Sequence, residues 1–181
     1  MRVVGRKGLA NATVQEIASE AGVAKGTVYL YFRSREEIIE KATQTAVDEL
    51  LARILEAIRA GGPFREVLER VLTTHIGYFD EHQDFFRLYF AMADGSEESR
   101  RRRLENRRRH VAQLAEMVAA AAKRGEVRAA EPERVAVAVA GVVREVVFRR
   151  VDGKSSYPLA DEVEFLADLF CDGICAPRRR R

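Results

Sequence analysis

One stretch of this 181-residue chain, residues 13–32, restricts its folding more than any other part. Its first half has apolar residues at helical spacing: Val14, Ile17, Ala18 and Ala21. Thr13 suits the N-cap position, because its hydroxyl can accept a hydrogen bond from a free N–H group of the first turn. Gly22 follows the apolar stripe, where a positive φ is easily accommodated. The pattern predicts a helix, a tight turn and a second helix from about residue 24 to residue 31.

The second of these helices has two different faces. Val28 and Phe32 form the face that we expect to be buried. The other face carries small, basic and hydroxyl-bearing residues: Lys25, Gly26, Thr27, Tyr29 and Tyr31. A short helix with such a face fits the major groove of DNA, where side chains can reach base edges. An ordinary helical hairpin within an all-α core is the alternative interpretation.

The same stretch resembles the DNA-binding helix-turn-helix of the TetR family of bacterial repressors. The resemblance rests on Thr13-Val14, Ile17-Ala18, Ala21-Gly22-Val23, Gly26-Thr27-Val28-Tyr29, Tyr31-Phe32 and Arg33-Ser34-Arg35-Glu36-Glu37-Ile38. It implies that bases and nearby phosphates are contacted by Lys25, Gly26, Thr27 and Tyr29. It further implies phosphate contacts by Thr13, Tyr31 and Arg35. Only the last turn or two of the family's first helix is recognisable before Thr13, so either that helix is short or the true start of the protein lies upstream of Met1.

The charges are unevenly distributed along the chain. The first 35 residues carry a net charge of +4 and residues 178–181 add +4, whereas residues 36–177 carry −5. The positive N-terminal segment suits a polyanionic partner such as DNA, and we interpret the basic tail as a solubilising end. The sequence has no run of 18 apolar residues, no secretory signal and only two cysteines. We therefore expect a cytoplasmic protein without a membrane segment.

The rest of the chain reads as a succession of helices. Apolar periodicity, capping residues and Gly or Pro breaks predict helices over about 34–60, 63–81, 84–92, 97–124, 132–151 and from 158 onwards. With the segment before Thr13 this makes about nine helices in an all-α fold. We expect a DNA-binding domain at 1–33, a ligand-binding and dimerisation domain at 34–177, and a basic tail at 178–181. The TetR resemblance implies the same division, with three helices in the head and about six behind it.

The last two predicted helices offer a surface for a second copy of the chain. The helix over 132–151 is apolar on more than one face, so one face can cover its own core and another needs a partner. The resemblance implies that these helices form a four-helix bundle with those of the partner. The predicted interface comprises Val139, Val143, Val147, Val163, Leu166, Phe170 and Ile174.

The middle helices are rich in aromatic residues and methionine, which are typical of apolar ligand cavities. The resemblance favours such a cavity over a plain hydrophobic core, and it implies a hydrophobic or amphipathic effector. Arg144 could orient an anionic group of that effector if it faces the cavity. The predicted lining comprises Leu68, Leu72, His75, Tyr78, Phe79, Phe86, Tyr89, Phe90, Leu114, Met117, Arg144 and Phe148.

No catalytic arrangement stands out in the sequence. It has no Gly-rich phosphate loop, no nucleophile elbow and no paired carboxylates. His75 and His82 belong to no compact cluster of metal ligands, so we expect no metal and no cofactor. The sequence thus predicts a ligand-responsive repressor that binds a palindromic operator as a homodimer. The alternative is an α-helical carrier or enzyme with a vestigial DNA-binding head.

Overall fold

The structure, a computed structural model, describes residues 13–91, 97–128, 131–155 and 157–174, except the side chains of residues 84, 88, 89, 91 and 174. These parts contain eight helices: α1 Val14–Glu20, α2 Lys25–Tyr31, α3 Arg35–Arg59, α4 Phe64–Glu81, α5 Gln83–Ala91, α6 Glu97–Lys123, α7 Pro132–Val151 and α8 Leu159–Ile174. The prediction of an all-α fold is confirmed. The short helix predicted before Thr13 and the basic tail lie outside the described residues. None of the described helices is both long enough and apolar enough to cross a membrane.

Capping residues set the start of α1 and the turn after it. The Thr13 hydroxyl accepts a hydrogen bond from the Glu16 N–H (3.2 Å), and the Glu16 carboxylate accepts one from the Thr13 N–H (3.0 Å). This reciprocal pair satisfies two N–H groups that the helix itself leaves free. Gly22 has a φ of +69°, as predicted for the turn into α2. The sequence therefore determines the geometry between α1 and α2 locally.

Helix α3 connects two separate hydrophobic cores. The small core of the head comprises Val14, Ala18 and Val28, with Phe32 and Ile38 packed against it. Ile38 belongs to the first turn of α3, whereas its neighbour Ile39 is buried in the large core formed by the later helices. Ser34 caps α3 by accepting a hydrogen bond from the Glu37 N–H (3.1 Å). Any movement of α3 therefore disturbs the packing of both cores.

Helix α4 lies at the centre of the large core. It packs against α3, α5, α6, α7 and α8. Leu68, Leu72 and Ile76 of α4 are fully buried. The helices around α4 cover its apolar stripe, and any polar group on the same stripe is carried into the interior.

The inward faces of α7 and α8 differ from the prediction. Five residues assigned to the dimer interface are buried within the single chain: Val139, Val143, Val147, Val163 and Leu166. That part of the prediction is wrong, because a side chain covered by its own core has no surface left for a partner. Phe170 is partly buried against the same core, and the side chain of Ile174 lies outside the described residues. Periodicity identified more than one apolar face on α7 but did not show which of them points inwards.

One ion pair joins α4 to the end of α7. The Arg150 guanidinium donates to both carboxylate oxygens of Asp80, at 2.9 Å from Nε to Oδ1 and 2.5 Å from Nη2 to Oδ2. The side chains of Arg150 and Asp80 are only 10% and 22% exposed. Arg150 Nη1 also donates to the Tyr157 carbonyl (2.7 Å), so the same residue holds the connection that leads into α8.

We expect Asp80→Asn to destabilise the protein by about 2–4 kcal/mol, because it leaves the Arg150 charge half-paired in a largely buried position. Urea unfolding at pH 7.5 measures the change. Arg101→Met is the matched control: Arg101 is paired with Glu98 on the exposed side of α6, where such a pair contributes less than about 1 kcal/mol. Equal losses in the two variants would contradict the importance of the buried pair.

Candidate DNA-binding surface and ligand site

The residues predicted to read DNA lie on the outer surface of α2. Lys25, Gly26 and Tyr29 are exposed, and Thr27 is partly exposed. The Lys25 ammonium lies 5.9 Å from the centre of the Tyr29 ring, so the two side chains form one patch. A Cβ added at Gly26 would meet no atom within 4 Å. The backbone of α2 is therefore open to close approach at this position.

The residues predicted to contact phosphate are placed differently from one another. Tyr31 is 76% exposed on α2. The Thr13 hydroxyl is used as an acceptor in the α1 cap, so its O–H remains available to donate to a phosphate oxygen. The Arg35 side chain is 28% exposed, and its Nη1 lies 4.0 Å from the Glu36 carboxylate. A phosphate group is therefore reached most directly by Thr13 and Tyr31.

Sequence reasoning missed Leu30. This leucine lies between the two tyrosines of α2 and is 81% exposed. Because leucine in a helix is usually buried, the sequence alone did not indicate that Leu30 is exposed. An exposed apolar side chain on a DNA-facing helix can contact a thymine methyl group.

Aromatic rings from three helices contact one another in a continuous chain that passes through the large core. The His75 ring stacks on Phe79 (centroids 5.6 Å apart), and Phe79 contacts Phe86 (4.0 Å) and Phe90 (6.3 Å). Phe90 in turn contacts Phe148 at 5.6 Å, and Phe148 is exposed on α7. Five of the residues predicted to bind ligand are thus brought together in a path from the core to the surface.

The remaining predicted lining residues have several different environments. Leu68, Leu72, Leu114 and Met117 are buried in the large core. Tyr78 faces α3 instead, where its hydroxyl lies 3.2 Å from a Glu49 carboxylate oxygen and Arg53 lies over its ring. Burial and the Glu49 charge raise the pKa of Tyr78 to about 12. The side chain of Tyr89 lies outside the described residues.

Arg144 is exposed and does not face the core. The prediction that it could orient an anionic ligand group within a cavity is therefore wrong. Arg144 follows the buried Val143, and successive residues of a helix point about 100° apart. The inward side of α7 therefore excludes Arg144 and consists of valines and alanine.

Two polar residues of α6 were missed by the prediction. His110 is 9% exposed, and both of its ring nitrogens are buried without a hydrogen-bond partner among the described groups. Its ring meets the edge of the His75 ring at 4.7 Å. Gln113, one turn later, donates from Nε2 to the Leu51 carbonyl (3.3 Å), while its Oε1 is buried without a partner.

Helical spacing could have identified His110. The buried stripe of α6 runs from His110 through Leu114, Met117 and Ala121. Leu104, earlier on the same helix, is 50% exposed, so the stripe does not extend back to it. The three arginines before His110 are exposed, and His110 is the only buried residue among positions 104–110.

Desolvation favours the neutral form of both His75 and His110. Desolvation lowers the pKa of His110 to about 4. Desolvation, and then the charge of His110, lower the pKa of His75 well below its usual value. Among the described residues no three His, Cys, Asp or Glu side chains are close enough to bind one metal ion.

Comparison with known proteins identifies the family. Residues 1–42 match the model of the bacterial regulatory proteins of the tetR family, and residues 61–148 match that of the tetracyclin repressor-like C-terminal domain. The two matched segments contain the α1–α2 unit and the centre of the large core, in that order. The chain belongs to the TetR family of bacterial regulators.

Three particular proteins illustrate the similarity. The uncharacterised HTH-type transcriptional regulator YerO of Bacillus subtilis is 36% identical over 87 residues, which cover 47% of this chain and 30% of YerO. The fatty acid metabolism regulator protein of the same bacterium is 32% identical over 75 residues, covering 41% of this chain and 39% of that protein. The chain therefore spans well under half the length of these relatives. The structure of FadR from B. subtilis in complex with stearoyl-CoA has the same fold, with a TM-score of 0.75, 22% identity, and coverage of 95% of this chain and 94% of FadR.

We expect the stability of the protein to fall as the pH decreases from 6.5 to 4. The unfolded chain protonates its histidines near pH 6.5, whereas the folded chain keeps His110 neutral down to about pH 4. The titration of His110 therefore lowers the free energy of unfolding by about 3 kcal/mol between pH 6.5 and pH 4. His75 lowers it further, because its pKa is also below the usual value. Urea unfolding at several pH values measures it, and His110→Phe should make the dependence shallower. An unchanged dependence in that variant would contradict the burial of a neutral His110.

Proposed function

We propose that this chain is a DNA-binding transcriptional regulator that is released from its operator by a small, largely apolar effector. The observation that carries the proposal is the accessible face of α2, within a segment that matches the DNA-binding part of the family. The chain acts in the cytoplasm, where its operator is. The transcriptional regulators among its relatives do not favour the alternative of a carrier or enzyme with a vestigial head.

On DNA, α2 enters the major groove with its outer face towards the base edges. Lys25 can donate to the O6 and N7 acceptors of guanine, and Gly26 lets the helix backbone approach closely. Thr13 and Tyr31 donate to phosphate oxygens, which sets the register of the helix in the groove. Leu30 and Tyr29 contribute apolar contacts to bases or sugars.

The effector binds in the large core along the chain of aromatic rings between α4, α5 and α7. The names of two relatives support an acyl compound: one is a fatty acid metabolism regulator, and the other was determined in complex with stearoyl-CoA. The rings of Phe79, Phe90 and Phe148 suit an extended apolar ligand, since they lead from the core to the surface.

Contacts between α6 and α3 transmit the presence of the effector towards DNA. The side-chain amides of Gln44 and Asn106 donate to each other at 3.3 Å and 3.1 Å. One turn away, Arg109 Nη1 donates to the Asp48 carboxylate at 2.7 Å. Both donors on α6 are close in sequence to His110, so a displacement of this turn by a ligand acts on α3.

A change in α3 reaches the head because Ile38, in the first turn of α3, packs on the small core beneath α2. An effector can shift this arrangement only by binding one state more tightly than the other. The effector-bound state is then the one in which the two heads of a dimer no longer match the spacing of the half-sites.

The dimer is formed by the outer faces of α7 and α8. Phe165 and Leu169 of α8 are 61% and 52% exposed, and Val137 is exposed on α7. A Cβ on Gly141 of α7 would meet no atom within 4 Å, which leaves room for a partner helix to approach. Paired heads also suit a palindromic operator, because a single short helix contacts too few base pairs for tight specific binding.

We expect Tyr29→Ala to weaken operator binding about tenfold while leaving the fold intact, because an exposed contact residue contributes little to stability. DNA sites enriched by in vitro selection with the wild-type chain provide the operator, and a mobility-shift assay measures the affinity. Tyr157→Ala, at an exposed tyrosine outside the head, is the matched control and should bind normally. If Tyr29→Ala retains full affinity, α2 does not dock as proposed.

We expect the double variant Phe165→Asp, Leu169→Asp to be monomeric at micromolar concentration, because two carboxylates at the centre of an apolar interface lose their hydration without gaining partners. Analytical ultracentrifugation measures the mass. Leu104→Asp, which introduces the same charge at an exposed leucine of α6, is the control and should remain dimeric. A dimer of unchanged strength in the double variant would refute this interface.

A further inference from the structure

His110 is a buried polar residue whose hydrogen-bonding capacity the protein leaves unused. Both ring nitrogens are buried and have no partner among the described groups. A neutral imidazole has one N–H donor and one acceptor, so two hydrogen-bonding positions are open. An apolar side chain of similar size would avoid the cost of burying these atoms. The position of the ring in an otherwise apolar stripe therefore requires an explanation other than packing.

Two further polar groups lie near this ring. The edge of the His75 ring is 4.7 Å away, centre to centre. The Gln113 Oε1 atom, one turn further along α6, is also buried without a partner. The result is a small polar region made of the two imidazoles, next to the aromatic chain that runs through Phe79 and Phe90.

Among the described residues, the arginines adjacent to His110 in sequence lie on the exposed side of α6, away from this polar region. Arg109, which precedes His110, lies at the surface and is paired with Asp48. Arg107 and Arg108 are exposed on the outer side of α6, and Arg144 is exposed on α7. Burial keeps His110 itself uncharged near neutral pH. A carboxylate placed here would lose its hydration, and these arginines would not compensate for the loss.

We propose that His110 is the residue that hydrogen-bonds the buried end of the effector, and that this end is an uncharged oxygen group such as a hydroxyl or an ester carbonyl. The inference rests on the proposed function, because it assigns the chemical class of the effector of that same regulator. The alkyl part of the ligand then lies along the aromatic chain, towards the exposed Phe148.

The test uses two probes with the same alkyl chain, 1-decanol and decanoate, and isothermal titration calorimetry on the full chain at pH 7.5. We expect decanol to bind at least about tenfold more tightly than decanoate. His110→Phe should weaken decanol binding about tenfold, the equivalent of one hydrogen bond, and should raise the melting temperature of the ligand-free protein. His110→Gln keeps a neutral donor and acceptor, and should bind decanol within a fewfold of the wild type.

His82→Phe is the matched control, because His82 also lies at α4 but packs on Tyr78, towards α3. It should leave the affinity for decanol unchanged. The inference is overturned if the wild type does not bind decanol, if decanoate binds as tightly, or if His110→Phe melts below the wild type or keeps full affinity. Binding to selected operator DNA is measured on the same samples. If the wild type binds DNA but one of the overturning results is obtained, only the inference about His110 is refuted. If the wild type shows no specific DNA binding, the proposed function is refuted.

Discussion

The enclosure of α4 by five other helices is the arrangement on which the rest of the structure depends. Each large apolar side chain that this enclosure buries contributes about 1.5–3 kcal/mol, and Leu68, Leu72 and Ile76 are completely covered. His75 shares this helix and is partly buried beside them. A polar pair with His110 thus exists in the interior only because the apolar residues of α4 and α6 determine how the helices face each other.

Helix α3 is long enough to pack in both the small core of the head and the large core, so the two are mechanically connected. Neighbouring residues, Ile38 and Ile39, serve different cores, so the helix cannot move relative to one without disturbing the other. Along the same helix, Gln44 and Asp48 form hydrogen bonds with α6. Polar contacts of this kind can be rearranged at lower cost than a packed apolar interface, since water can replace each partner. They are therefore suitable places for a change between two states.

Local signals predicted the helices well, because capping residues and breaks act over only a few positions. Thr13 caps the helix it was expected to cap, and Gly22 has the expected positive φ. The wrong predictions concern which face of a helix is buried in the core. Val139 and Val143 were assigned to a partner but fill the core, whereas Phe165 and Leu169 are exposed. A helix with two apolar faces satisfies the same periodicity in either orientation, and only the neighbouring helices select one of them.

The sequence by itself determined the all-α fold, the α1–α2 unit with its basic and hydroxyl-bearing outer face, and the resemblance to TetR regulators. These features depend on residues within one or two turns of each other. Only the tertiary structure decided that His110 points inwards, that Arg144 points outwards, and that an aromatic chain connects His75 to Phe148. Such placements depend on contacts between residues far apart in the chain, and the spacing of residues in a single helix carries no information about its neighbours.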